Sequence, residues 1–384
     1  MSRHLVFVST ELAPEVPGGA GWVIAELARR LAEEGDRVTM LVVAKAEIPS
    51  RPGVEVRVVS PGDPDQEAPT PFLARSRAAA RAVAELEEVD RVEFQDFDGL
   101  GFWALAHRRE LGLERTPLLV RMHAPVDLIA EAAGAESPDW PAVRAMERHA
   151  FSMADGVLVA SQAMAELALG RYRLEPERVV RGEPPVPALA PVPHRRAEIP
   201  EFVCLGRLGE QKGSDLFLQA ALTLLEDRSD LRFRFLGGEG WSLRQGRPMG
   251  EWLAKSVPAR FAGRISFEGP VARQELGRAL ASAWAVVFPS RFETFCLAAH
   301  EARALGHAVV VPDLPAFRPY FSEQTGALVY NGGVTGLVGA LRSLATDPSL
   351  GETLAAAPPP SYGDPLQPYR RSPPTPRHPR SQAG

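Results

Sequence analysis

One succession, an apolar strand, then a turn rich in glycine, then a helix, occurs twice along this chain, and it restricts the possible folds more than any other feature. The first run opens with LVFVS at residues 5–9, passes through ELAPEVPGGAGW, becomes helical over 22–34 and returns to a strand at 38–43. The second opens at 202–205, passes through GRLGEQKGSD and enters a helix over 215–225. Such a unit closes right-handed with its strands parallel, and it leaves the turn at the carboxyl edge of the sheet, where open α/β folds take ligands. Between the runs lies RGEPPVPALAPVPHRRAEIP, residues 181–200, proline-rich and aperiodic, a semi-rigid connection. A chain of 384 residues is too long for one ordinary core. The expected division is therefore 1–180, a linker at 181–200, 201–350, and a tail at 357–384 whose Pro, Arg and Ser content predicts disorder.

Composition narrows the class. With 45% hydrophobic and 24% charged residues the chain is an ordinary globular protein, and a net charge of -5 argues against a general nucleic-acid binder. Two cysteines far apart, Cys204 and Cys296, predict reduced thiols in an intracellular protein. The apolar run at the N-terminus is too short for a signal peptide and no stretch is long enough to span a bilayer, so the expected address is the cytoplasm, with peripheral membrane association left open.

Three places concentrate chemistry. Residues 285–312, AVVFPSRFETFCLAAHEARALGHAVVVP, run strand, polar turn, helix, strand, and a helix N-terminus with unpartnered amides is an anion site. Glu293 and Glu301 would lie about 12 Å apart on a continuous helix, too far to share a proton, so they read as two acceptors gripping different hydroxyls of one long ligand, or as an N-terminal glutamate and an unrelated one. In GRLGEQKG, Arg207 and Lys212 flank a glycine turn able to hold a diphosphate, or are two solvated cations; the chain has three lysines against forty arginines. His123, delivered by the strand at 118–122, stands where strand-end residues meet substrate, or is a structural histidine, the commoner role of a lone one. Asp96 and Asp98 end another strand, and either contact an acceptor or cap and solvate a loop. Trp22 and Trp103 are acceptor surfaces or core aromatics.

PSRFETFCLAAHEARALGHAVVVPD, GRLGEQKG, the PGGAG loop and HAP at a strand end together resemble the family 4 retaining glycosyltransferases of the GT-B fold, over about residues 4–350. The resemblance implies two Rossmann-like α/β domains with parallel sheets facing across a cleft, the acceptor held mainly by the first and a nucleotide-sugar donor mainly by the second. It gives Arg207 and Lys212 the diphosphate, Glu293 the donor-sugar hydroxyls and Glu301 the ribose. Phe295, Cys296 and Leu297 bring backbone amides to phosphate and sugar, Gly18 and Gly19 line the reaction centre, and His123 stands near the transferred sugar. Cys296 occupies a position usually glycine, and the proline-rich tail carries no evident counterpart of the family's closing helix.

The implied reaction moves a sugar from a nucleoside diphosphate to an acceptor hydroxyl with retention. Fixed cations and helix amides stabilise the leaving diphosphate. No acidic cluster for Mg²⁺ or Mn²⁺ stands beside these motifs, so neither metal nor cofactor is expected. Small molecules, glycans and lipids all remain open as acceptors. Two rival readings are a nucleotide-sugar epimerase on the same architecture and a non-catalytic nucleotide-sugar-binding protein.

Overall fold

The computed structural model describes residues 2–12, 19–45, 47–189, 195–372 and 374–376. Two compact units share the chain: Met1–Asp127, Pro138–Pro185 and Gly363–Gly384 form the first, Leu128–Ser137 and Val186–Tyr362 the second.

In the first unit, β1 (His4–Ser9), β2 (Arg37–Val43), β3 (Val54–Val59), β4 (Arg91–Gln95), β5 (Leu118–Met122), β6 (Gly156–Val159) and β7 (Val179–Arg181) form one parallel sheet in the order 3-2-1-4-5-6-7. Every residue of β1, β4, β5 and β6 is buried, as in a parallel sheet covered on both faces; β1, β5 and β6 read largely as apolar runs, whereas β4, RVEFQ, alternates polar and apolar residues. Charged residues nonetheless lie inside that sheet, Arg91 and Glu93 on β4 and Arg121 on β5. Glu93 on β4 and Arg121 on β5 pair at 2.6 Å, and both are almost fully buried.

The partner that completes this pair comes from the tail. Tyr369 is fully buried; its hydroxyl donates to Glu93 Oε2 at 2.8 Å and accepts from Arg121 Nη2 at 2.7 Å. Arg91 lies over its ring and donates to the Pro368 and Arg371 carbonyls, and Phe7 stands 5.9 Å from it. For the described residues 357–372 the expectation of disorder, with no helix returning to the first domain, is therefore corrected. The segment Gln367–Arg370 is helical and is packed within the first unit, with Leu366 and Tyr369 as buried anchors. Mean composition misjudged it because one aromatic with a satisfied hydroxyl is enough to dock a short polar segment.

The second unit repeats the arrangement with β8 (Glu201–Leu205), β9 (Arg232–Leu236), β12 (Ile265–Phe267), β13 (Ala285–Val287), β14 (Val309–Pro312) and β15 (Ala327–Tyr330), in the order 12-9-8-13-14-15. A small antiparallel hairpin, β10 (Trp241–Ser242) and β11 (Arg247–Pro248), stands apart from that sheet. Phe202, Phe217, Phe233 and Phe235 fill the core between sheet and helices. In each unit the strand order reverses about one central pair, β1 and β4 in the first, β8 and β13 in the second. That reversal opens a crevice at their carboxyl ends.

Candidate active site

The two motif turns of the second unit leave the central pair β8 and β13. After β8 the chain runs through Gly206 to Gly213 into the helix Ser214–Asp227; after β13 it runs through Pro289 to Cys296 into the helix Leu297–Ala304. The turns are locked together. Gly213 has φ 70°, and a Cβ there would lie 1.8 Å from the Pro289 carbonyl oxygen, so only glycine allows the approach. Arg291 N donates to Gln211 O at 2.8 Å, and the Gln211 amide donates to Phe292 O at 3.3 Å. The Arg291 guanidinium makes two 2.6 Å bonds to the buried Asp215 carboxylate and a third to the Glu210 carbonyl. Glu210 in turn accepts from the Ser242 hydroxyl and the amides of Leu243 and Arg244, fastening the hairpin to the same turn.

This framework brings Lys212 to Glu293. The ammonium donates to both carboxylate oxygens, at 2.8 and 3.0 Å, and the Ser290 hydroxyl adds a third donor at 2.8 Å. Burial alone would lower the Lys212 pKa; the Glu293 carboxylate outweighs burial and the opposing charge of Arg207, and the net shift is upward. Arg207 is exposed on the same turn. Cys296 ends the second turn at φ 63°, a left-handed conformation that disfavours side chains, and burial followed by the Glu293 charge pushes its thiol well up. Phe295 is buried and stacks on His300, centroids 4.1 Å apart. His300 Nε2 donates to the Phe295 carbonyl at 3.1 Å and Nδ1 accepts from the Tyr362 hydroxyl at 2.9 Å. Burial lowers the His300 pKa to about 3, so this ring works as a neutral brace. Leu297 opens the following helix. One turn later stands Glu301, buried, its pKa raised by burial against the pull of Arg273 at 2.6 Å.

In the first unit His123 follows β5 as expected. Its backbone N donates to Asp96 Oδ2, its ring lies parallel to Phe97 at 5.7 Å, and burial followed by the Arg121 charge lowers its pKa to about 3. Asp96 is thus a buried acceptor for backbone amides, while Asp98 pairs with Arg75. Gly18 lies outside the described residues. Gly19 is the exposed first residue of the helix Gly19–Glu33 rather than part of a loop, and a Cβ there would meet nothing within 4 Å. The close approach belongs to Gly21, where a Cβ would lie 2.8 Å from that of Glu11. Trp103 is half-buried, with the His107 ring stacked at 4.4 Å and the Arg77 guanidinium 5.7 Å from its ring.

Sequence reasoning named Lys212 and Glu293 but missed Ser290, which bonds Glu293, the Asp215–Arg291 pair that locks the turns, and His300, which braces Phe295. No spacing rule pairs Asp215 with Arg291; the signal is spatial. Among the described residues no group of three or more His, Cys, Asp or Glu side chains could hold a metal ion, and no helix is long and apolar enough to cross a membrane.

Known proteins resemble both units in sequence and in fold. A model of group 1 glycosyl transferases matches residues 199–347, and a model of glycosyltransferase family 4 matches residues 17–186. A D-inositol 3-phosphate glycosyltransferase of Kribbella flavida is 28% identical, over 92% of this chain and 90% of its own. One of Streptomyces avermitilis is also 28% identical, over 88% and 78%. Among solved structures, sucrose-phosphate synthase of Thermosynechococcus elongatus superposes with a TM-score of 0.72 at 18% identity, covering 92% of each chain. HepE of Anabaena in complex with UDP-glucose superposes at 0.64 and 16%, again covering 92% of each.

Proposed function

The chain belongs to the group 1 glycosyltransferases of family 4, enzymes that transfer sugar from a nucleotide sugar, and from that premise we propose a metal-independent, retaining transfer from a uridine diphosphate sugar to an acceptor hydroxyl. The observation that carries it is the junction of the two turns, where Lys212 and Glu293 meet at 2.8 Å beside the N-terminus of the helix Leu297–Ala304. A leaving diphosphate needs fixed positive charge, and a sugar needs a rigid carboxylate acceptor. Lys212 and Arg207 take the diphosphate, Glu293 the donor-sugar hydroxyls, Glu301 the ribose, and the amides about Phe295, Cys296 and Leu297 complete the phosphate cradle.

In the step itself the bond from the anomeric carbon to the diphosphate oxygen breaks and the bond to the acceptor oxygen forms on the same face. The acceptor proton passes to the departing phosphate, whose charge Lys212 and Arg207 offset. His123, neutral because its pKa is lowered to about 3, offers a hydrogen bond to the sugar without adding charge. Uridine is inferred from the solved Anabaena neighbour bound to UDP-glucose, and D-inositol 3-phosphate, from the names of the relatives, is the first acceptor to try. The epimerase reading gains no support from these comparisons. The cytoplasm remains the proposed location.

The test is a thermal-shift panel of nucleotide sugars on the wild type and the Lys212→Ala and Glu301→Ala variants, followed by UDP release with candidate acceptors. One uridine donor should stabilise the wild type and both variants should weaken the shift. Donor binding without transfer to any acceptor would favour the binding-protein reading. An absence of any shift would overturn the donor site.

A further inference from the structure

The turn that carries His123 is held in an unusual way. Its residues are His123, Ala124, Pro125 and Val126, and proline has no N–H to offer. His123 N and Ala124 N donate to Asp96 Oδ2 at 2.9 and 3.2 Å, and Val126 N donates to Glu147 Oε2 at 2.9 Å. Every backbone donor of the turn thus ends on one of two carboxyls, each about 1% exposed. The two come from different elements: Asp96 follows β4, and Glu147 lies on the helix Trp140–Met153. Asp96 Oδ1, Glu147 Oε1 and His123 Nε2 are all buried without a hydrogen-bond partner.

Two buried acids are an expensive way to hold three amides. Burial raises the pKa of both, and the Asp96 charge raises Glu147 further. Asp98 and Asp127 add negative charge toward Glu147, and Tyr172 is also within reach of it electrostatically. Arg75 offsets Asp98, and Arg148 and Arg171 offset Asp127; Arg121 faces His123. Asp96, with two amide donors, is the better site for a charge, and Glu147, with one, the better site for a proton.

We propose that Asp96 and Glu147 are positioning residues for His123 in the sugar transfer, a clamp that fixes the turn and with it the place of the buried imidazole. The proposal rests on the reading of His123 as a residue of the reaction. It gives a function to two buried acids that the transfer step does not use directly.

The test uses the full chain with ¹⁵N-labelled histidine, the His123 signal being assigned by its loss in His123→Gln. In the wild type His123 should stay neutral down to mildly acidic pH. In Asp96→Ala or Glu147→Ala the loosened turn should let it titrate nearer the ordinary value of about 6.5. UDP-glucose turnover should fall at least tenfold in kcat, with KM for UDP-glucose within about twofold. The conservative Glu147→Gln keeps an oxygen for Val126 N and should recover most of what Glu147→Ala loses; Asp96→Asn should do the same for its two amides. Should the alanine variants fail to fold, Glu147→Asp, too short to reach Val126, stands against Glu147→Gln in the same two readings. Folded alanine or aspartate variants whose His123 titrates as in the wild type would overturn the clamp, as would a loss confined to KM. The titration needs no turnover, so a wild type that no uridine donor stabilises would sink the donor reading while the histidine signal still decides the clamp.

Discussion

Cys296 shows how much one backbone angle can carry. At φ 63° its side chain is held in a conformation that costs an L-residue about 1–2 kcal/mol, and a glycine would adopt it freely. On an ordinary helix alanine is preferred to glycine by about 1 kcal/mol. Here the order should invert, with Cys296→Gly more stable than Cys296→Ala by about 1 kcal/mol in chemical denaturation; the usual order would show that the angle relaxes. A second prediction at this scale concerns Glu147. Its raised pKa means that the folded chain binds a proton which the unfolded chain has released, so its contribution to stability falls as pH rises above about 4.5. His123 acts in the opposite sense. Its lowered pKa means that the unfolded chain takes up a proton first, and stability falls as pH drops below about 6.5. Glu147→Gln should therefore gain on the wild type in melting temperature between pH 5 and 8 and lose that gain toward pH 4. A difference flat with pH would mean that Glu147 is not the protonated partner.

The turns show why part of the site was legible and part was not. Strands β8 and β13 were read within a residue or so of their ends, because buried parallel strands are short apolar runs. Lys212 and Glu293 stood out because glycines surround one and a helix start follows the other. The lock between the turns left no such mark: Arg291 and Asp215 are 76 positions apart, and charged residues in polar turns are ordinary until the fold brings them to 2.6 Å. The same holds for Glu147, one glutamate on an amphipathic helix, and for Gly19, which opens its helix although the glycine run suggested a loop. Gly213 tests the lock directly. Its missing Cβ is what admits the Pro289 carbonyl, so Gly213→Ala must push the turns apart. The variant should lose several degrees in melting temperature and most of its stabilisation by UDP, whereas Gly209→Ala, where a Cβ would meet nothing within 4 Å, should keep both. Equal behaviour of the two would mean that the turns are not held by this approach.

For the whole chain the decisive residue is Tyr369, which sits beside strands laid down near the opposite end. The ring fills a buried site between Phe7 and Arg91, and its hydroxyl joins a pair, Glu93 and Arg121, that already satisfies part of itself at 2.6 Å. Removing only the hydroxyl leaves that pair intact, so Tyr369→Phe should cost about 1 kcal/mol. Tyr369→Ala also empties the ring's volume and uncovers two buried charges, which places its cost at about 3–5 kcal/mol. A chain with two units need not unfold in one step, and the effect sought here is confined to one of them, so the readout has to be local. Hydrogen exchange followed by peptide separates the contributions. In Tyr369→Ala, amides of β1, β4 and β5 should exchange faster while those of β8, β13 and β14 keep their wild-type rates. Faster exchange in both groups would mean that the tail holds more than the first unit, and unchanged exchange in both would mean that it holds neither. Only the first pattern fits a terminus whose one buried aromatic completes the sheet it lies against.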